Sequence, residues 1–442
     1  MATSPVPPVF DAGLPTLDYA HDREPELAHR KIQQAREQAP IALGSYGPEV
    51  LTYELVRKVL RDNRFVMPRG LSLTAQGITS GPLWDRAVSN LLNLDGARHH
   101  RLRRLVSKAF TPKASERLRS LAVQTINELI DAHIDTGHCN IVTDIARRYP
   151  IPIICALLGV RRDDWPLFSA WTDDIFKLFG WNLANDAPDI LRAWSCLDAY
   201  VDEVIAERRD SLTDDLISEL ISAEIDGDRL VHHELLMLVA VILTAGTDTT
   251  RNQLAAAVEV LTDNPDQWAL LSAHPELAVC AVEEVMRHSP VVFGSIRVPI
   301  EDVELAGVII PKGTLVIANT AAANRDPAVY DRPDYLDITR DDPPPMQTFG
   351  GGTHYCLGTH LARLELAEAL TAITRRFANP RRCGLAPWKP LTGVTGPTTL
   401  PITFDAAPIN DSPPCPRRAA GEEGPHRADS AGNVGRQQMG RV

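Results

Sequence analysis

The apolar run Leu235–Ala245, LLMLVAVILTA, is eleven residues long, and that length decides what it can be. A membrane-spanning helix needs about 20 such residues, so the run reads as a helix buried inside a soluble protein. The chain has 442 residues, 44% of them hydrophobic and 23% charged, enough to bury a sizeable core. Apolar residues recur at helical spacing over Ser115–Asp135, Leu191–Arg209, His233–Asn264 and Pro275–His288. Strand signals are short: Gly47–Thr52, Ile296–Val298, Val303–Leu305, Val308–Ile310, Leu315–Asn319, and a final turn-linked pair within Leu391–Phe404. Strands at both ends enclose the helices. The pattern predicts a mostly α fold with small β-sheets (α+β), forming one domain over 1–406. From about Ala407 the chain is polar and rich in Pro and Gly, which predicts a disordered tail over 407–442 that includes Cys415.

The formal charge is -12, which argues against a nucleic-acid partner, since phosphate binding needs basic surface. The first residues are Pro-rich and polar, with no secretory signal. The seven cysteines are odd in number and scattered, without a CxxC. They predict neither a disulfide framework nor a cysteine zinc site, and they place the chain in the reducing cytoplasm.

One cysteine stands apart. Cys356 lies in Phe349–Arg363, FGGGTHYCLGTHLAR, after Gly350, Gly351 and Gly352 and just before a strongly helical stretch. Glycines permit positive φ and close approach to a flat ligand. At a loop-to-helix junction, backbone amides and the helix dipole favour a thiolate over a thiol. An anionic sulfur in such a setting suits a buried iron.

The segment resembles the haem-binding loop of the cytochrome P450 family. It matches Phe-Gly-x-Gly-x-His-x-Cys-x-Gly at Phe349, Gly350, Gly352, His354, Cys356 and Gly358. Three more segments agree in order and spacing, so the resemblance covers nearly all of the chain to about Phe404. It implies a P450-like haem-thiolate fold, with haem b ligated by Cys356, its metal ligand. It also implies monooxygenase activity: one atom of O2 enters a small lipophilic substrate and the other leaves as water.

The second segment is Ala245–Thr250, AGTDTT, late in the apolar helix. A glycine inside a helix costs about 1 kcal/mol relative to alanine, and threonine hydroxyls can bond back to the preceding turn and bend it. The resemblance implies that this helix crosses the haem and that its ladder opens at Ala245 and Gly246. Thr249 then hydrogen-bonds dioxygen while Asp248 relays protons, which makes both catalytic.

Third, Glu284 and Arg287 in EEVMR share a helical face. The resemblance makes them a buried pair with a third cationic partner from a later segment. Tyr335 stands at the matching position, so Arg332 or Arg340 is the substitute. Fourth, the two haem propionates need cationic or strong donor partners. The matching positions are His99 and Arg103 in DGARHHRLR, Arg297, and His354.

By the same analogy, Leu71, Leu73, Ile78, Leu83, Trp84, Phe293, Val394 and Thr244 line the substrate pocket. Electrons come from outside, because no flavin or nicotinamide segment is visible. The resemblance implies a ferredoxin with an NAD(P)H-dependent ferredoxin reductase, and no membrane anchor. The basic stretch Arg98–Lys108 turns Arg101, Arg104 and Lys108 to solvent as a docking face, extended by Arg363. Two other classes share the thiolate. A peroxide-driven peroxygenase has less need of Asp248 and Thr249, and a non-enzymatic haem sensor leaves AGTDTT unexplained.

Overall fold

In the computed structural model, residues 6–406 other than 71, 181, 223, 226 and 227 are described. Residues 72, 75, 108, 109, 179, 224, 225, 228 and 229 are described by backbone alone. The expected tail, with Cys415, lies outside the described residues. Met1–Ala407 group into one compact unit. Among the described residues, no helix is long and apolar enough to cross a membrane.

The apolar run lies inside a long helix, His232–Thr262. Its N-terminus is closed by Glu234, whose carboxylate accepts the Val231 N–H at 3.1 Å. Helices Pro150–Leu158, Trp165–Phe176, Leu183–Asp210 and Thr359–Arg376 pack around it. The largest core cluster sits there, with Ile151, Ile154, Leu238, Leu243, Leu254 and Leu370 all buried. Within Leu235–Thr262 only Ala245, Gly246, Thr249 and Val260 escape full burial.

The helix is continuous through Ala245 and Gly246, so the expected opening of its ladder is not observed. Gly246 answers a different demand. A Cβ there would come 2.7 Å from Ile154 Cδ1, so the missing side chain lets two helices approach closely.

The predicted helix Ser115–Asp135 is divided into Pro112–Glu116 and Arg119–Ile134. Between them Leu118 N–H bonds Ser115 O at 3.0 Å, a tight i→i+3 turn. A six-stranded sheet runs in the order Thr16–Leu17, Ile41–Gly44, Gly47–Val50, Val316–Ala318, Ser295–Pro299, Phe65–Val66. In Ser295–Pro299 the period-two alternation buries Arg297 opposite Val316. Val303–Leu305 and Val308–Ile310 form a hairpin whose turn residues, Ala306 and Gly307, both have positive φ, the requirement of a type I′ turn.

The C-terminal strands differ from expectation. Pro401–Ala406 pairs antiparallel with Phe377–Arg382 and with His138–Asn140, not with a preceding hairpin partner. Between Leu391 and Leu400 only isolated bridges form, Val292 to Val394 and Trp388 to Pro397. The fold class itself stands as read, mostly helical with small sheets.

Candidate active site

Cys356 lies in a folded-back loop. Its N–H donates to Phe349 O at 3.0 Å, Gly350 N–H to Gln347 O at 2.9 Å and Tyr355 N–H to Gly352 O at 3.1 Å. Gly350 and Gly352 have φ of 71° and 64°, the left-handed region that glycine alone enters freely. At Gly352 a Cβ would also sit 2.3 Å from the Leu60 carbonyl oxygen. The loop ends at Gly358, the N-cap of helix Thr359–Arg376.

The sulfur lies deep in the protein, yet Cys356 has accessible surface. Burial pushes the Cys356 thiol up, and the Gly358 N–H, Arg103 and Arg363 only partly offset that. The expected preference for a thiolate is thus not met by the protein groups alone. The helix amide and two guanidiniums are weaker than the desolvation they oppose, and a bound metal cation would add the missing charge.

The long helix shows a matching accessible face. Ala245 is exposed and Thr249 partly so, one turn apart in the otherwise largely buried middle of the helix. Thr249 Oγ1 donates to Ala245 O at 2.8 Å. Asp248 turns the other way and is buried. Its Oδ1 accepts Arg251 Nε at 2.5 Å, and Arg251 also donates to Asp173 Oδ1 at 2.7 Å. Asp173 is about one-third exposed and pairs with Arg147 at the surface. Asp248 and Thr249 are thus adjacent in sequence but point into different surroundings.

The four proposed anion ligands divide into two pairs. His99 and His354 are brought together, their ring centroids 4.3 Å apart. His354 Nε2 meets Asp95 Oδ1 at 2.8 Å. Burial works to raise the Asp95 carboxyl, but hydrogen bonds from His354 and the Met67 N–H hold it below its usual range. His99 is buried, and its Nδ1 has no hydrogen-bond partner. Burial, then His354 and Arg103, push its pKa down to about 4. Arg103 donates to the Tyr355 carbonyl beside the cysteine. Arg297 is buried, and Met67 Sδ at 3.1 Å and Ile296 O at 2.8 Å are its partners. Among the described residues no carboxylate pairs with its guanidinium.

Residues 49–273 and 272–381 match the family described as Cytochrome P450. Luteothin monooxygenase of Streptomyces thioluteus is 38% identical over 401 residues, 90% of this chain and 97% of its own. Steroid C26-monooxygenase of Mycobacterium tuberculosis is 34% identical over 326 residues, 73% of this chain and 87% of its own. The crystal structure of CalO2 superposes with a TM-score of 0.80 at 31% identity, covering 86% of this chain and 96% of that one.

This chain belongs to the cytochrome P450 family.

It is a P450 monooxygenase of small molecules, and the family implies a haem-thiolate centre. The residues present fit such a group. A buried guanidinium without an anion and a buried imidazole nitrogen without a partner are costly, and a bound carboxylate would satisfy both. A cysteine with accessible surface and a helix bared at Ala245 and Thr249 complete the fit.

The other P450 elements are placed as follows. Glu284 and Arg287 form a buried pair, with Nε to Oε2 at 2.7 Å and Nη2 to Oε1 at 2.8 Å. The third partner is Arg340, whose Nε reaches Glu284 Oε1 at 3.0 Å. Arg332 is exposed and pairs with Asp331 instead. Of the pocket candidates, Leu73, Leu83 and Phe293 are buried in core clusters. Phe293 packs against Tyr19 and His29 at 5.8 and 5.3 Å. Thr244 is buried and bonds back to the Ala240 carbonyl. Ile78, Trp84 and Val394 are partly buried, and Leu71 lies outside the described residues.

The expected docking face is smaller than the sequence suggested. Arg101 is paired with Glu234 at 2.6 Å, and Arg363 is paired with Glu283. Arg104 is exposed, while the Lys108 side chain lies outside those described. Three residues of the site went unassigned from sequence: Asp95, Arg251 and Asp173. Arg251 was within reach as an i+3 partner of Asp248, and Asp95 opens the same motif as His99. Nothing in the sequence ties Asp173 to the site.

Proposed function

We propose that this P450 holds haem b through Cys356, with His99, Arg103, Arg297 and His354 holding the propionates. The buried Arg297 guanidinium, with which no carboxylate pairs among the described residues, is the observation that carries the reading. When bound, the haem would supply dioxygen activation, with one oxygen atom entering the substrate and the second released as water. Thr249 and Asp248 are the catalytic residues of the chain. The partly exposed Thr249 hydroxyl, bonded to Ala245 O, would hold a proton for the oxygen chemistry the haem supplies. Asp248, held by Arg251, which Asp173 anchors in turn, takes up a proton from solvent after rotating away from Arg251 and passes it on. Ala245 keeps the substrate side apolar, which suits a small lipophilic substrate. A relative named for a steroid supports that class.

Residues 1–406 are the monooxygenase domain in this reading, working in the cytoplasm. Electrons come from a ferredoxin and its NAD(P)H-dependent ferredoxin reductase, with the exposed Arg104 steering an acidic donor.

The test is spectroscopic. Cys356→Ala is expected to abolish the red-shifted Soret band of the ferrous carbon monoxide complex, while Cys155→Ala and Cys383→Ala retain it. Persistence of that band in Cys356→Ala would overturn the assignment.

A further inference from the structure

Arg363 and Glu283 occupy an unusual place for a surface ion pair. Both line a surface hollow of about 430 Å³, beside Arg61, Gln347 and Tyr355, on the outer side of the cysteine loop. Their side chains are 31% and 34% exposed. Arg363 Nη2 meets Glu283 Oε2 at 3.0 Å, and Nε engages the other carboxylate oxygen. On its inner side the guanidinium lies 4.6 Å from the centroid of the Phe349 ring. The Phe349 carbonyl in turn accepts the Cys356 N–H at 3.0 Å. The Tyr355 hydroxyl is a further polar neighbour of Arg363.

The pair is partly exposed, so it adds modestly to stability, about 0–1 kcal/mol at the fully exposed limit, and its place beside the cysteine loop gives it a second consequence. Arg363 lies over the ring of Phe349, whose carbonyl holds the Cys356 N–H, as Arg103 lies at the Tyr355 carbonyl next to the cysteine. Both cations thus border the loop, and Glu283 opposes the charge of Arg363. Adding an electron to a centre at Cys356 adds a negative charge there. A nearby cation favours that step and a nearby anion opposes it.

We propose that Glu283 and Arg363 act as an opposed charge pair that sets the reduction potential of the haem from the protein surface. Both are positioning residues, since neither touches substrate. The proposal rests on haem ligation by Cys356.

The experiment is a spectroelectrochemical titration of the haem-loaded protein at low salt. Arg363→Gln is expected to lower the potential, because it removes the cation and leaves Glu283 unopposed. Glu283→Gln is expected to raise it. The double variant should return towards wild type, and Arg363→Lys should stay closer to wild type than Arg363→Gln. Both single variants break the same ion pair, so a structural role would move them in one direction. Shifts of the same sign, or no shift in either, overturn the proposal. If Arg363→Gln does not retain haem, Glu283→Gln decides alone: a rise supports the proposal, and a fall or no change overturns it. Absence of the thiolate carbon monoxide band in wild type would instead sink the ligation itself. That band present with unsplit potentials removes only the charge pair.

Discussion

Arg340 Nε donates to Glu284 Oε1 at 3.0 Å, so one buried carboxylate on the helix Ala278–His288 holds both Arg340 and Arg287. Arg287 goes on to the carbonyls of Asn324 and Pro333, at 2.9 and 2.7 Å. Asn324 then receives the Gln347 N–H at 2.7 Å and donates to Thr348 Oγ1 at 2.7 Å. The chain of contacts ends directly before Phe349, where the cysteine loop begins.

Glu284→Gln should therefore be severe. It leaves two guanidiniums with no carboxylate, one of them Arg287 with a side chain only 2% exposed. Breaking such a pair costs about 3–5 kcal/mol. Arg340→Ala leaves Glu284 and Arg287 together and should cost about 1–3 kcal/mol, the range for a lost hydrogen bond to a charged group. Urea unfolding midpoints check the order. Equal losses would mean that Arg340 is as essential as the central pair.

Thr249→Ala removes only a hydroxyl bonded to its own helix, so fold and haem content should hold. Product per electron consumed should fall, the remainder appearing as peroxide or water. Asp248→Asn should slow the step after oxygen binding, because an amide in place of the carboxylate cannot take up a proton and pass it on. Normal coupling and rate in both variants would remove the relay.

Acid should destabilise the haem-free protein earlier than its carboxylates alone would. Burial first, then neighbouring positive groups, hold His99, His29 and His288 below the ordinary histidine range, His99 at about 4. Below about pH 6.5 the unfolded chain gains protons that the folded chain refuses, so stability falls as pH drops. The His99 contribution runs from about pH 6.5 to its folded pKa near 4. Urea midpoints between pH 7 and 4 should decline less in His99→Gln than in wild type. An equal slope would show that His99 keeps its usual proton affinity.

The site was most legible where its chemistry is compressed into adjacent residues. Cys356, its glycines and His354 share one short loop, whose turn needs the glycines' positive φ. Glu284 and Arg287 are three apart on one helix, so their pairing could be read directly. Arg340 could only be named beside Arg332, because the choice depends on which residue the turn buries. Asp173 was invisible: it lies 78 residues before Arg251, and neighbouring helices alone bring them together. The pairing of Pro401–Ala406 with Phe377–Arg382 was hidden for the same reason. Local turn signals pointed to a hairpin, whereas the strand's partners are set by the helix end at Arg376 and by the distant His138–Asn140.

Gly246 has a packing role that the sequence did not reveal: its missing Cβ leaves space for Ile154 Cδ1, which would lie 2.7 Å away. Gly246→Ala should thus carry two opposed terms. Alanine gains about 1 kcal/mol of helix propensity, and overpacking a buried contact costs about 1–3 kcal/mol. The single variant should come out neutral to about 2 kcal/mol less stable. Ile154→Val deletes the clashing methyl and alone should cost about 0.5–1.5 kcal/mol. Combined, the new methyl occupies the space vacated, the strain is relieved and the propensity gain is kept. The double variant should be more stable than the sum of the singles predicts, by about 1 kcal/mol or more. A double-mutant cycle by urea unfolding measures this coupling. Additive losses would show that Gly246 is there for its backbone, not for its contact with Ile154.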